Sequence, residues 1–157
     1  MVANIANSFI IKAAIQAFRA GLGIDYEFLN SFCKGVLAKD KSIRWAAAVN
    51  KNGVILTQKA REGVKLLLTE EENEQYAASA IARQRTRGKF EPKIGKMVYA
   101  FGRYDRLHRA TIPINENYYL LITFDVGEKD FDSIIMDRIV PMIAESKNRF
   151  VTMDDSI

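Results

Sequence analysis

The sequence predicts a single domain of the α+β class, in which a five-stranded antiparallel sheet is flanked by helices. Its hydrophobic pattern switches between helical and strand periodicity in the order α-α-β-β-α-β-β-β-α, and consecutive strands are joined by short turns. No glycine-rich strand-to-helix turn of a parallel sheet is present. The length of 157 residues suits one domain, and 48% hydrophobic with 27% charged residues is typical of a globular protein.

Residues 1–22 predict a helix with an unusually wide apolar surface. Its polar side chains recur every three or four positions on one narrow stripe, at Ser8, Lys12, Gln16 and Arg19. Because the other faces are apolar, we expect the helix to pack against a second copy of the chain. The residues predicted to make this contact are Phe9, Ile11, Ile15 and Phe18. A helix folded onto its own domain and a helix lying in a membrane interface are the alternatives.

The same segment predicts neither a signal peptide nor a membrane span. No basic region precedes the apolar run, and polar residues interrupt it before it reaches the length that a bilayer requires. We therefore expect a cytoplasmic protein without a membrane partner.

The next helix begins after Asp25, whose carboxylate is a good helix cap. Apolar residues recur at spacings of three and four over 28–37, and Gly35 inside this pattern predicts a close approach by another helix. The helix also holds Cys33, the only cysteine. No activating base lies near it in sequence, so we expect an inert buried thiol.

A strand over 43–49 is apolar on both faces and is therefore predicted to lie inside the sheet. Asn52 and Gly53 form a typical two-residue hairpin turn, with a positive φ expected at both positions. A return strand over 54–57 and a charged loop over 58–65 follow.

A central helix is predicted from Thr69 to about Arg85, because Thr69 and Glu72 have the spacing of a capping box. The residues expected to face the sheet are Tyr76, Ala77, Ala80 and Ile81, and the two alanines would let the helix lie close to it. Pro92 and Gly95 are expected to break the chain after this helix.

The remaining pattern predicts a three-stranded meander over 96–101, 106–114 and 118–126, followed by a closing helix from about Asp130. Pro141 lacks an amide and is expected to kink or fray that helix. The tail over 147–157 has no pattern and is expected to be loose.

No motif indicates catalysis, a cofactor or a bound metal. One histidine and one cysteine exclude every zinc-ligand spacing, and the glycine-rich phosphate loop and the nucleophile elbow are absent. Asp105 and His108 would point to opposite faces of an extended strand, so they do not predict an acid–base pair. We expect a non-enzyme, with His108 a core or surface residue.

Positive charge is concentrated over 83–109. This segment contains nine Lys and Arg residues and only two acidic residues, although the whole chain carries a net charge of only +4. The candidate residues for binding an anion or a partner are Arg83, Arg85, Arg87, Arg103, Arg106 and Arg109. A solvated face, an acidic protein or second subunit, and a nucleic acid or phosphate ligand are the three alternatives.

Without the first predicted helix, the order α-β-β-α-β-β-β-α resembles the roadblock/LC7 family of the profilin-like group. The stretch 45–53 is similar to the first hairpin of the family, 69–85 to its central helix, and 111–125 to its last hairpin. The sequence as a whole also resembles those of uncharacterised archaeal proteins of this general shape. The resemblance covers residues 24–146 and implies a non-catalytic homodimer that extends its sheets by pairing and acts as a scaffold or regulator of a small GTPase.

The helix predicted over 1–22 departs from the family pattern and is expected to cover a surface on which a partner would otherwise dock. PAS, GAF and longin domains have a similar order of strands and helices, so a small-molecule sensor is an alternative. Its pocket between sheet and helices would be lined by Tyr99, Phe101 and Tyr119.

Overall fold

The computed structural model describes residues 25–151, which form an antiparallel sheet with helices on both faces. The elements are α1 (Tyr26–Leu37), β1 (Ile43–Asn50), β2 (Ile55–Ala60), α2 (Glu70–Gly88), α3 (Glu91–Ile94), β3 (Ala100–Arg103), β4 (Leu107–Pro113), β5 (Tyr118–Asp125), α4 (Phe131–Ile134) and α5 (Val140–Ser146). The strand order is β2-β1-β5-β4-β3, which confirms the predicted α+β class. The contact predicted through Phe9, Ile11, Ile15 and Phe18 lies outside the described residues.

The sheet separates two apolar layers. On one face, α1 and the helical chain from α4 to α5 cover the larger core, whose members include Phe32, Ile112 and Ile135. On the other face, α2 covers a smaller core around Trp45 and Leu121. Alternate residues of β1 enter the two layers, and this is why that strand is apolar throughout.

The β1–β2 connection is a wider turn than the predicted two-residue hairpin. Gly53 has φ of +82°, but among the described residues no side-chain-bearing residue has a positive φ, so Asn52 does not follow the prediction. The carboxamide oxygen of Asn50 instead accepts from the amides of Asn52 and Val54, each at 3.0 Å. These two hydrogen bonds hold the turn closed, so Asn52 does not need a positive φ. β2 also continues to Ala60, through the first part of the predicted charged loop.

The predicted capping box is confirmed at the start of α2. Thr69 Oγ1 accepts from the amide of Glu72 at 3.1 Å, and Glu72 Oε1 accepts from the amide of Thr69 at 3.0 Å. The helix runs to Gly88, past its predicted end. Pro92 does not simply break the chain: it stands in the first turn of α3, where no amide is needed.

β3 begins four residues later than predicted. Its first pair joins Ala100 to Thr111, and β4 ends two residues further on, at Pro113. Pro113 has no amide to donate, so it cannot form the next hydrogen bond of the β3–β4 ladder. That bond would have joined β4 to the residues before Ala100. Residues 96–99 therefore run beside the sheet without joining it.

The closing helix is irregular, as Pro141 predicts, but the irregularity precedes the proline. A π-helical turn, Ile135–Ile139, joins α4 to α5, and Pro141 lies in the first turn of α5. The wide turn accommodates the missing amide while Ile135 and Ile139 stay fully buried. The tail was expected to be loose from residue 147, but Lys147–Arg149 form a 3₁₀ turn and Phe150 is only 3% exposed.

Gly35 confirms the predicted close approach of two helices. A Cβ atom at this position would lie 2.7 Å from Cε of Met142 in α5, the flexible end of that side chain, so the glycine leaves room for the methionine between the two helices. In the part of the chain that the structure describes, no helix combines the length and apolarity needed to cross a membrane.

Cys33 is expected to be unreactive in the native protein. Its side chain is fully buried, and desolvation raises the pKa of the thiol to about 12, so almost no thiolate exists at neutral pH. A thiol-specific chromogenic reagent should modify no cysteine in buffer and the single cysteine after denaturation. Fast modification in buffer would show that the α1 layer opens.

Candidate interaction surface

Among residues 25–151, β3 is an edge strand with a ladder on one side only. Its four residues pair with β4, from Ala100–Thr111 to Arg103–His108, and with no other described strand. The amide of Tyr104 donates to the carbonyl of Leu107 at 3.1 Å. Since hydrogen-bonded pairs alternate along an antiparallel ladder, the main-chain groups of Phe101 and Arg103 point away from β4.

On its α2 face, β3 has only small residues of its own, but an aromatic ring covers one of them. Ala100 and Gly102 point to that face and are half-buried. A Cβ atom at Gly102 would lie 3.1 Å from the Tyr104 ring, so the glycine gives this ring its place over the strand. What the edge offers to a further strand is therefore its outward main-chain groups.

α2, which packs on the same face of the sheet over β1, β2 and β5, has opposite charges at its two ends. Exposed carboxylates occupy its first turns at Glu70, Glu71, Glu72 and Glu74, and exposed guanidinium groups its last turns at Arg83, Arg85 and Arg87. Both ends suit the helix dipole, so part of this arrangement serves the helix itself. The helix is nevertheless complementary in charge to a second α2 that runs in the opposite direction.

Arg109 is buried, contrary to its predicted role as a surface anion ligand. Only 4% of the residue is exposed, and its guanidinium lies 3.4 Å from the centroid of the Tyr76 ring and 5.6 Å from that of Trp45. Nη2 is 3.5 Å from the carboxamide oxygen of Asn73, and Nε has no hydrogen-bond partner among the described residues. Burial lowers the pKa of Arg109 and raises that of Tyr76. The residue joins α2 to β4 through aromatic rings, a contact that the spacing of arginines in the sequence does not reveal.

The other five arginines are exposed but do not form one site. Arg103 and Arg106 lie at the β3–β4 turn, beside the start of β4, whereas Arg87 lines a cleft with Pro113 at the end of β4. The length of β4 separates the two groups by about 20 Å. Arg83 lies between them, with its guanidinium 5.5 Å from the Tyr76 ring centroid.

The three aromatic residues predicted to line one pocket are also separated. Phe101 stacks on Phe131 with ring centroids 3.9 Å apart, and the Tyr99 hydroxyl donates to Asp132, both on the α4 side. Burial and this contact raise the pKa of Tyr99 to about 12. Tyr119 points to the α2 side, where burial and the nearby charge of Glu91 raise its pKa.

Tyr119 lines an open cleft of about 380 Å³ between the end of α2, the chain before β3 and the β4–β5 turn. The charged residues of its lining have both signs: Arg87, Glu91, Lys96, Glu116 and Lys147. The cleft therefore lacks the uniform charge of an anion site, and it is not the pocket predicted from the sequence.

His108 is a core residue, one of the two places expected for it. It is 1% exposed, packs near the rings of Phe101 and Phe131, and has Nε2 3.1 Å from the carbonyl oxygen of Val126. Within residues 25–151, no three His, Cys, Asp or Glu side chains are grouped as metal ligands.

The comparisons with known proteins agree with this geometry. No protein-family model matches the sequence, and no curated protein matches it. Among solved structures, a roadblock/LC7 domain from Streptomyces avermitilis superposes with a TM-score of 0.61 at 9% identity, over 76% of this chain and 95% of that one.

Two structures of the gliding protein MglB are also similar. The protein from Thermus thermophilus gives a TM-score of 0.59 at 11% identity, over 79% of this chain and 86% of its own. That from Myxococcus xanthus gives 0.57 at 14% identity, over 85% and 99%. The chain thus has the roadblock/LC7 fold, which confirms the resemblance found in the sequence.

Proposed function

We propose that this chain is a non-catalytic interaction module that pairs with a second copy through β3 and presents the joined sheet to a protein partner. The observation that carries the proposal is the edge of β3 that no described residue pairs with, where Phe101 and Arg103 direct main-chain groups outward. The roadblock/LC7 fold supports it, because pairing that extends the sheet is what the family resemblance implies.

The charge pattern of α2 supports the same pairing. Two β3 strands joined antiparallel are related by a two-fold axis, so the two α2 helices also run in opposite directions. On each side of the dimer, the acidic start of one α2 then lies on the same side as the basic end of the other α2. Such complementarity steers association and disfavours the parallel arrangement.

Proline in place of Arg103 is expected to weaken the dimer. The substitution removes one outward amide per copy and leaves the β3–β4 hydrogen bonds in place. Because both copies lose a bond of about 1 kcal/mol, the dissociation constant should rise about thirtyfold, as measured by sedimentation equilibrium.

The matched control is Ala60→Pro on β2, the other edge strand. The amide of Arg61 donates to the carbonyl of Arg44, so alternation leaves the amide of Ala60 on the outer side of β2. This variant should keep the dissociation constant of the native chain. Equal weakening by both prolines, or by neither, would overturn pairing through β3.

The helix predicted over 1–22 is proposed as a second contact between copies. Replacing Phe9 and Ile15 by aspartate should then weaken the dimer further in the Arg103→Pro background. A dimer that is lost on the Phe9 and Ile15 changes in the otherwise native chain, and kept on Arg103→Pro alone, would assign the interface to the N-terminal segment and not to β3.

The proposed partner is a small GTPase or another signalling protein, as the resemblance to roadblock proteins implies. A pull-down tests this proposed partner. The tagged chain is incubated with a lysate of its source cells, with and without nuclease, and the proteins that it captures are identified. A nuclease-resistant GTPase that binds the native chain but not Arg103→Pro supports a dimeric scaffold. Binding lost on nuclease treatment would instead favour a nucleic-acid role for the exposed arginines.

A further inference from the structure

Between the end of α2 and the start of β3, the chain exposes three large apolar side chains within nine residues. Phe90 is 56% exposed, Ile94 81% and Val98 51%. Phe90 and Ile94 are four residues apart across α3 and therefore lie on one face of its turn. Apolar side chains exposed to this degree and grouped together usually mark a contact surface.

The same segment carries a net positive charge. Residues 85–98 contain five basic residues and one acidic residue, and all five cations are exposed: Arg85, Arg87, Lys89, Lys93 and Lys96. None of the five forms an ion pair within residues 25–151. The single carboxylate, Glu91, lines the cleft beside Tyr119, as do Arg87 and Lys96. The tip thus combines exposed apolar side chains with an excess of exposed cations.

We propose that this tip, residues 85–98, docks the protein on the surface of an anionic lipid bilayer. Phe90 and Ile94 would enter the boundary between headgroups and acyl chains, while the lysines remain among the anionic headgroups. The proposal goes beyond the proposed function, since a monomer and a dimer would both carry the tip.

A bilayer fits the tip better than a second protein does. A stable protein interface buries about 800 Å² on each partner over a complementary surface. The tip is centred on a four-residue helix. Ile94, its most exposed side chain, has 81% of its surface accessible to solvent, so the chain itself covers little of it. A few protruding apolar side chains together with nearby exposed cations are sufficient for an interfacial contact with anionic lipid. The sequence alone predicts no membrane partner, because these residues come from one helical turn and an extended segment and show no periodicity.

Co-sedimentation of the full chain with vesicles tests the proposal. The chain should pellet with vesicles of phosphatidylcholine and phosphatidylserine, should release them as salt is raised, and should stay in solution with phosphatidylcholine alone. Replacing both Phe90 and Ile94 by serine should reduce the partition coefficient about tenfold or more, as should Lys89→Gln with Lys93→Gln. Both pairs are exposed, so these variants should fold as the native chain does.

Val54→Ser is the matched control, since Val54 is 48% exposed in the β1–β2 turn and lies outside the tip. Its binding to anionic vesicles should equal that of the native chain. Failure to pellet with anionic vesicles, or equal binding by the native chain and the Phe90/Ile94 variant, would overturn the proposal. A change in sedimentation mass on Phe90→Ser and Ile94→Ser without vesicles would assign the tip to contact between copies and would also overturn it.

Discussion

Replacing Phe150 by alanine is expected to lower the free energy of unfolding by about 3–5 kcal/mol, as for other fully buried phenylalanines. Its ring packs edge-on against Phe28 and Phe32, with centroids 5.0 and 4.8 Å apart, and lies 5.6 Å from Tyr118. The loss should appear as a lower midpoint in urea denaturation with an unchanged slope.

Val151→Ala is the control for this change. Val151 follows directly in the chain but is 50% exposed, so its truncation should shift the free energy of unfolding by less than about 0.5 kcal/mol. Equal, small effects of both substitutions would mean that the chain after α5 is loose, as the sequence predicts, and that Phe150 does not belong to the core.

Gly53→Ala is expected to cost about 3 kcal/mol, because two separate conditions require glycine there. Its φ of +82° strains any residue with a Cβ atom, at a cost of about 1–2 kcal/mol. The new Cβ would also lie 2.7 Å from Cα of Ala78, so the backbone of α2 or the turn itself must shift. Thermal unfolding, followed by circular dichroism, measures the sum of the conformational cost and the cost of the close contact.

Gly63→Ala separates the two causes. Gly63 has φ of +80°, but a Cβ atom there would meet nothing within 4 Å, so only the conformational cost of about 1–2 kcal/mol should remain. If the two glycines prove equally costly, the close approach of the β1–β2 turn to α2 contributes nothing to stability.

The elements that the sequence predicts best are those whose signal is local. The capping box of Thr69 and Glu72 and the apolar spacing of α1 depend on neighbours within one or two turns, and the structure has both. Gly35 could be assigned to a helix contact because glycine inside a helix is costly without a packing reason. The order of these elements is what led to the roadblock resemblance.

The elements that the sequence predicts poorly depend on contacts that are distant in the chain. Phe150 is buried by Phe28, more than a hundred residues away, and no pattern around it indicates burial. Arg109 looks like the other arginines of its segment, yet Tyr76 of α2 covers it. The short length of β3 follows from Pro113 on its neighbour, an effect that requires the register to be known.

In the candidate interaction surface too, the sequence predicts local features and misses those that depend on contacts distant in the chain. Charge counting finds the basic segment, but only the strand pairing shows that Arg103 and Arg87 lie at opposite ends of β4. Tyr99 and Phe101 lie on one face of the sheet, whereas Tyr119 of β5, predicted to line the same pocket, lies on the other. The free edge of β3 is visible only once the strand order is known.

Sedimentation velocity of the unmodified full chain, over a wide range of concentration, tests pairing through β3. We expect a species of twice the chain mass of 17.8 kDa that is stable to dilution into the low micromolar range. Arg103→Pro should make this species dissociate at about thirtyfold higher concentration, whereas Ala60→Pro should leave its dissociation unchanged. A species of 17.8 kDa at every concentration would contradict pairing through β3 and, with it, the proposed function.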